Sequence, residues 1–448
     1  MFLVYNKTAR LLDRLPLGGI VNKNDKTNFE MKNTFLIFLL FISSYSFSQQ
    51  KITLSISKPE KMHMSSVGLN KIDFLMLRYV DEKKLPGMIT MVARHDKIVK
   101  FEKYGLMDID KPMELNTIFR IASMTKPITS VAAMILYEEG YFQLDDPVAK
   151  YIPEFRDLKV FSYKDKNGIH AEEQKTPMTI RNLLTHTSGF ASGMEDSPID
   201  SLYKVADLRN AFTLKDLIQK LTKIPLKYQP GTRWQYGEST DVLGYLIEVL
   251  SGKTLDVFFK ERIFMPLKMV ETDYFVPDEN LFRVSKVYGI SQQGMEMIKN
   301  SEVNNVSKSV KSIRGNGGLL STASDYMIFS QMILNKGVYN GVRILKSNTV
   351  DLMTSNQLSN VIMPDDEFLG KIMLGMGFGL GFAIVQDENK ANTIGTPGSY
   401  WWSGTGNTYF YIDPKEGLVL ILMTQFVPNF YYPVFKEFRE LVYKAIIK

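Results

Sequence analysis

The sequence predicts an α+β fold: an antiparallel sheet flanked by helices, built from strands at both ends of the chain, with a largely helical region inserted between them. Three observations carry this reading. Near the start, "GMITMVARHDKIVKFEKYG" alternates on either side of His95-Asp96-Lys97, the pattern of two antiparallel strands over about residues 88–94 and 98–104. Near the end, "GLGFAIVQ", "NTYFYID" and "LVLILMTQ" read as three more strands, the last two joined by the turn sequence Pro414-Lys415-Glu416-Gly417. Between these ends, about residues 141–314 read mostly as helix and loop.

In chain order, the first feature is "MKNTFLIFLLFISSYSFSQQ", which has a lysine at position 32, an apolar run over residues 35–42 and small residues at Ser46 and Ser48. This reads as a secretory signal, residues 31–48, cleaved after Ser48, because the apolar run is too short to span a bilayer. A buried hydrophobic helix is the alternative. Since a signal belongs at a true N-terminus, Met31 is the expected start, and residues 1–30 are an extension outside the fold. A helix over residues 67–79 follows, with Leu69, Ile72, Leu75 and Leu77 at helical spacing. A second helix starts near Ser123, where Ile128, Val131, Ala132 and Ile135 form an i, i+3, i+4, i+7 stripe closed by Gly140. A third is capped by Ser239 or Thr240 and ends near Gly252, and a fourth covers about residues 434–446. The folded domain is expected over residues 66–440.

The chain of 448 residues has a formal charge of +6. The first 48 residues hold six basic and three acidic side chains, so the remainder carries 48 basic against 45 acidic, a net +3. That balance, with no basic run, gives no argument for a nucleic-acid partner or a membrane surface. Without cysteine there are no disulfides, no thiol nucleophile, no thiolate metal site and no lipid-anchored cysteine at the cleavage point. The expectation is an exported protein, periplasmic or secreted, with no stable membrane insertion once the signal is removed.

The stretch "IASMTKPITS" places Ser123 and Lys126 three residues apart at a helix start. Ser-x-x-Lys alone says little, since it also occurs at Ser48, Ser55 and Ser201. At a helix start, however, residues three apart are neighbours, with Cβ atoms about 5–6 Å apart, and the terminal N–H groups favour a developing oxyanion. Pro127 removes a backbone donor and points to a local departure near Ser123. A lysine serves as a base near neutrality only if its charged form is disfavoured by burial or neighbours. The competing reading is a helix capped by Ser123, with Lys126 in water.

Two further segments bear on this choice. In "PGTRWQYGESTDVLGYLIEVLSG", Tyr236 sits in a loop ahead of a helix, and in "GSYWWSGTGNTYFYIDP" a small-residue stretch, residues 403–406, directly precedes a strand. Together with "SMTK", "LLTHTSGF" and "GNGGLLSTASDYMIFSQMIL", this order resembles the serine β-lactamase-related family: class C β-lactamases, D-alanyl-D-alanine carboxypeptidases of that type, and esterases of the same penicillin-binding-protein-like fold. The resemblance implies that Ser123 is an acylated nucleophile and Lys126 its proton acceptor, that Tyr236 shares that proton and helps activate water, and that the N–H groups of Ser123 and Thr405 form an oxyanion hole. It places Trp402, Ser403 and Gly404 at the family's Lys-Thr-Gly motif on the edge strand, in contact with substrate, and implies no cofactor and no metal.

Two departures concern the substrate. Trp402 stands where the family has a lysine that binds a substrate carboxylate, which favours neutral esters over β-lactams and peptides. Glu238 stands where the family often has asparagine, and it is expected to pair with Lys126, holding it charged. The leading expectation is therefore a serine hydrolase acting on a small ester or amide through an acyl-enzyme. A β-lactamase or carboxypeptidase-like peptidase and a non-catalytic binding protein on the same fold are the alternatives. No Gly-x-Ser-x-Gly elbow, His-Glu-x-x-His or phosphate loop is present. His186 reads as structural.

Overall fold

The computed structural model describes residues 54–299, 306, 313–358, 361–363, 369–391 and 394–447. The expected signal and N-terminal extension lie outside them. Among the described residues no helix is long and apolar enough to cross a membrane.

The sheet is drawn from both ends of the chain. After helix α1 (Ser66–Asp81) come strands β1 (Gly87–Arg94), β2 (Lys97–Asp108) and the short β3 (Lys111–Pro112). Helices α2 (Thr125–Glu138), α3 (Ser239–Ser251) and α4 (Ala323–Leu334) follow, then β4 (Met376–Phe378), β5 (Ala383–Val385), β6 (Tyr400–Gly404), β7 (Thr408–Asp413), β8 (Leu418–Met423) and helix α5 (Val434–Lys444). The eight strands run in the order β4-β5-β6-β7-β8-β1-β2-β3, all antiparallel. The seam between the two chain ends is β1 against β8, with Val92 opposite Leu420.

The apolar runs have a direct cause. β6, β7 and β8 are buried at every residue, so both faces of the sheet need apolar side chains and the sequence does not alternate. Successive residues of β7 show the two faces. Tyr409 stacks on Phe435 of α5 at 4.2 Å, whereas Phe410 packs on Tyr326 of α4 at 5.2 Å. At the β1–β2 hairpin His95 (φ 48) and Asp96 (φ 63) both take left-handed conformations, which matches the right-handed twist of the strands they join. The β7–β8 turn is held by Asp413 Oδ1, which accepts from the N–H groups of Lys415 (2.9 Å) and Glu416 (3.2 Å).

Several expectations are corrected. In α1, Leu77 is 45% exposed, and the buried stripe runs through Leu69, Ile72, Leu75, Met76 and Tyr79. The segment "GLGFAIVQ" is not one strand. Gly379 to Phe382 form a turn closed by the Gly379 N–H to the Phe382 carbonyl at 2.8 Å, with Gly381 at φ 99, and only Ala383–Val385 is extended. The inserted region carries two hairpins, Val160–Asp165 with Gly168–Glu172 and Tyr288–Ser291 with Gly294–Met297, besides its helices. The N-cap position of helix α3 is Glu238, without a side-chain cap bond, rather than Ser239 or Thr240; Ser239 instead hydrogen-bonds Ser188 at 2.7 Å.

Ser403 and Gly404 close a strand of their own, β6, just ahead of β7, and β6 lies inside the sheet rather than at its edge. β5 pairs only with Tyr400 and Trp401, so in the described ladder Trp402 to Gly404 pair on the β7 side alone. Gly404 is where the sheet meets the turn that carries Ser123, since a Cβ there would overlap the Ile121 carbonyl oxygen. Because backbone cannot yield as a side-chain tip can, Gly404→Ala is expected to cost about 1–3 kcal/mol in urea unfolding. An unchanged midpoint would show that the two backbones do not need this approach.

Candidate active site

Ser123 lies in a 3-10 turn, Ala122–Met124, that runs straight into α2. The departure expected near Ser123 is found at its neighbour Ala122, which takes φ 43, a left-handed conformation that costs a non-glycine residue about 1–2 kcal/mol. Surrounding contacts hold it in place. The Ile121 N–H donates to the Leu319 carbonyl at 3.0 Å, and the Tyr326 hydroxyl donates to the Met124 carbonyl at 2.9 Å. The Ser123 side chain does not cap the helix; the N-cap of α2 is Met124, with no side-chain cap bond.

Instead, two groups converge on the Ser123 hydroxyl. Lys126 Nζ is 3.2 Å from Ser123 Oγ, and the Tyr236 hydroxyl is 2.8 Å from it. Lys126 is only 4% exposed, so the solvated-lysine alternative fails. Its Nζ donates to the Asn316 carbonyl at 2.7 Å and lies 4.6 Å from the centre of the Tyr236 ring. Tyr236 is placed by Gly237, where a Cβ would overlap the Ala191 carbonyl oxygen, and by the Gln235 N–H, which donates to the His186 carbonyl at 2.8 Å.

An aromatic wall backs this group. The Trp402 ring lies 5.6 Å from Tyr236 and 5.5 Å from Phe378, and Phe378 in turn touches Trp234 and His186. His186 is fully enclosed, and burial, then the nearby Lys126, push its imidazole down to about 3, so it is neutral at pH 7 and serves as packing. Ser403 receives a 3.5 Å contact from Asn429 Nδ2, and Thr405 follows β6 with its side chain exposed.

Glu238 departs from expectation. It pairs with Arg314 Nη2 at 3.1 Å and accepts from Asn316 Nδ2 at 3.2 Å, rather than binding Lys126. Arg314 Nε also donates to Asp241 Oδ2 at 2.8 Å. Burial first and the Asp241 carboxylate second push the Glu238 carboxyl up to about 8, while Arg314 holds Asp241 below its ordinary range. Sequence reasoning missed Asp241, Arg314 and Asn316 as members of this site. The acid at Asp241 reads locally as helix-dipole complementarity, and its cation is 73 residues further on.

The fold and this grouping of side chains define a serine hydrolase. Residues 72–440 match the Beta-lactamase family. The chain is 33% identical over 359 residues to Protein Rv1367c of Mycobacterium tuberculosis, covering 78% of this chain and 88% of that one. It is 26% identical over 377 residues to Esterase EstB of Burkholderia gladioli, covering 79% and 89%. Among solved structures, EstCE1, described as a hydrolase with promiscuous acyltransferase activity, superposes with a TM-score of 0.72 at 22% identity over 84% of this chain and 99% of that one. The chain belongs to the Beta-lactamase family.

The raised Glu238 carboxyl has a signed consequence for stability. A carboxyl whose folded pKa lies above its ordinary 4.5 favours the folded state most fully at low pH, and that contribution is lost as pH rises to about 8. Relative to Glu238→Gln, which has no proton to lose there, the wild-type protein is expected to lose stability across this window in urea unfolding series. A difference that stays flat from pH 5 to pH 9 would contradict a protonated Glu238.

Proposed function

We propose that the protein hydrolyses small carboxylic esters through a covalent acyl-enzyme on Ser123. The observation that carries this is the convergence of Lys126 Nζ (3.2 Å) and the Tyr236 hydroxyl (2.8 Å) on one serine oxygen at the start of a helix. In this reading Ser123 Oγ attacks the ester carbonyl while its proton passes to Lys126, with Tyr236 sharing it. The N–H groups of Ser123 and Thr405 receive the oxyanion. The C–O bond to the alcohol then breaks, and the proton leaves with the alcohol. A water molecule attacks the acyl carbonyl, passing a proton to Tyr236 as the Tyr236 hydroxyl gives its own to the departing Ser123 oxygen, and the carboxylic acid and free Ser123 result.

The preference for neutral esters rests on charge. Trp402 contributes an indole face in the site, and the nearby cation Arg314 is already matched by the Asp241 carboxylate. A carboxylate-bearing substrate would therefore find little positive charge to meet it. Export through the signal over residues 31–48, giving a periplasmic or secreted enzyme, is part of the proposal and is motivated by the apolar run and small residues of that segment.

Turnover of short- to long-chain nitrophenyl esters and of nitrocefin, assayed side by side, tests the reading. Ester hydrolysis is expected to dominate and to fall by about 10²–10⁴-fold in Lys126→Ala and in Tyr236→Phe, with Ser123→Ala inactive. Nitrocefin turnover equal to ester turnover would favour the β-lactamase alternative. No turnover of any substrate by the wild-type protein would favour a binding role.

A further inference from the structure

Lys126 makes a shorter contact to the Asn316 carbonyl (2.7 Å) than to Ser123 (3.2 Å), so the direction of its amine depends on where residues 314–317 are held. That segment is fixed from three sides. The Asn316 N–H donates to Asp241 Oδ1 at 2.8 Å, and Asp241 Oδ2 accepts from Arg314 Nε at 2.8 Å. The Thr129 hydroxyl of α2 donates to the Gly315 carbonyl at 2.6 Å, and the Tyr274 hydroxyl donates to the Arg314 carbonyl at 2.5 Å. Gly315 lies directly on α3, where a Cβ would overlap the Thr240 carbonyl oxygen. Asp241 is completely buried, and its charge is met by an Arg314 side chain that is 13% exposed.

A buried ion pair of this kind is rarely a large net source of stability, because desolvation offsets its attraction, yet it fixes geometry sharply when its hydrogen bonds are complete. Here the pair holds the segment whose Asn316 carbonyl meets Lys126. We infer that Asp241 and Arg314 are positioning residues that hold the Asn316 carbonyl against Lys126 and so set the reactivity of Ser123. Glu238 joins the same unit through Arg314 and Asn316 Nδ2 and begins two residues after Tyr236. One buried cluster therefore tethers the loop that carries the tyrosine and the carbonyl that aims the lysine. This inference rests on the acyl-enzyme reading of Ser123.

The test is the labelling of Ser123 by a small fluorophosphonate, followed by intact mass, with thermal unfolding measured in parallel on each variant. In Asp241→Ala the maximal labelling rate is expected to fall on the order of 100-fold, the cost of misplacing a reacting group by about 1 Å, while the half-saturating probe concentration stays unchanged. Asp241→Asn keeps an oxygen for the Asn316 N–H and is expected to recover most of that loss. A purely structural role would lower the unfolding temperature without separating maximal rate from probe binding. Should Asp241→Ala not fold, Arg314→Lys carries the test: it keeps the charge but loses the two-pronged geometry, and it is expected to label about 10-fold more slowly. Wild-type labelling rates in a folded Asp241→Ala or in Arg314→Lys overturn this inference alone. No labelling of the wild-type protein overturns the acyl-enzyme reading and this inference with it.

Discussion

An amine taken out of water has to be met by acceptors inside the protein, because each polar contact it loses to solvent and does not regain counts against folding. Lys126, at 4% exposure, meets this constraint with the Ser123 oxygen, the Asn316 carbonyl and the face of the Tyr236 ring. These partners come from three places in the sequence: the turn that opens the lysine's own helix, the loop before α3, and the segment before α4. The fold can be understood as the means of bringing them to one point and keeping them there.

Three close backbone approaches serve that requirement. Gly404 lets the end of β6 reach the Ile121 carbonyl, Gly237 lets the Tyr236 loop reach Ala191, and Gly315 lets residues 314–317 reach α3. Each is a position where a Cβ would strike backbone oxygen, so the small side chain is a steric need and not a matter of flexibility. The sheet supplies the rigid part. β6 is hydrogen-bonded to β7 along its whole length, and β7 is covered on both faces, by α4 and α5.

How much of this was legible in the sequence differs from one element to the next. "LVLILMTQ" announced a strand because burial on both faces demands an unbroken apolar run, and β1 was legible from the alternation on either side of His95-Asp96-Lys97. The edge position expected for Trp402, Ser403 and Gly404 did not hold, because β6 has β5 beside Tyr400 and Trp401, and local sequence does not record which strand a segment pairs with. Leu77 was misplaced because a helical stripe tolerates a shift of one residue when apolar side chains adjoin. At the site, Ser123, Lys126 and Tyr236 were legible through the order of motifs. Glu238 was legible as a departure, but its partner was not. Arg314 lies 76 residues further on and shows no periodicity that would mark it. Pairings of that kind are made by packing, and local sequence holds no trace of them.

In the proposed mechanism the contacts around Lys126 make Ser123 Oγ the atom that carries the acyl group. This is tested most directly by quenching the enzyme in acid during turnover of a slowly hydrolysed ester and measuring its mass. An increment equal to the acyl group, without the alcohol, is expected, located by peptide mapping to Ser123 and decaying once substrate is exhausted. Turnover with no covalent species, or with the acyl group on another residue, would contradict the mechanism.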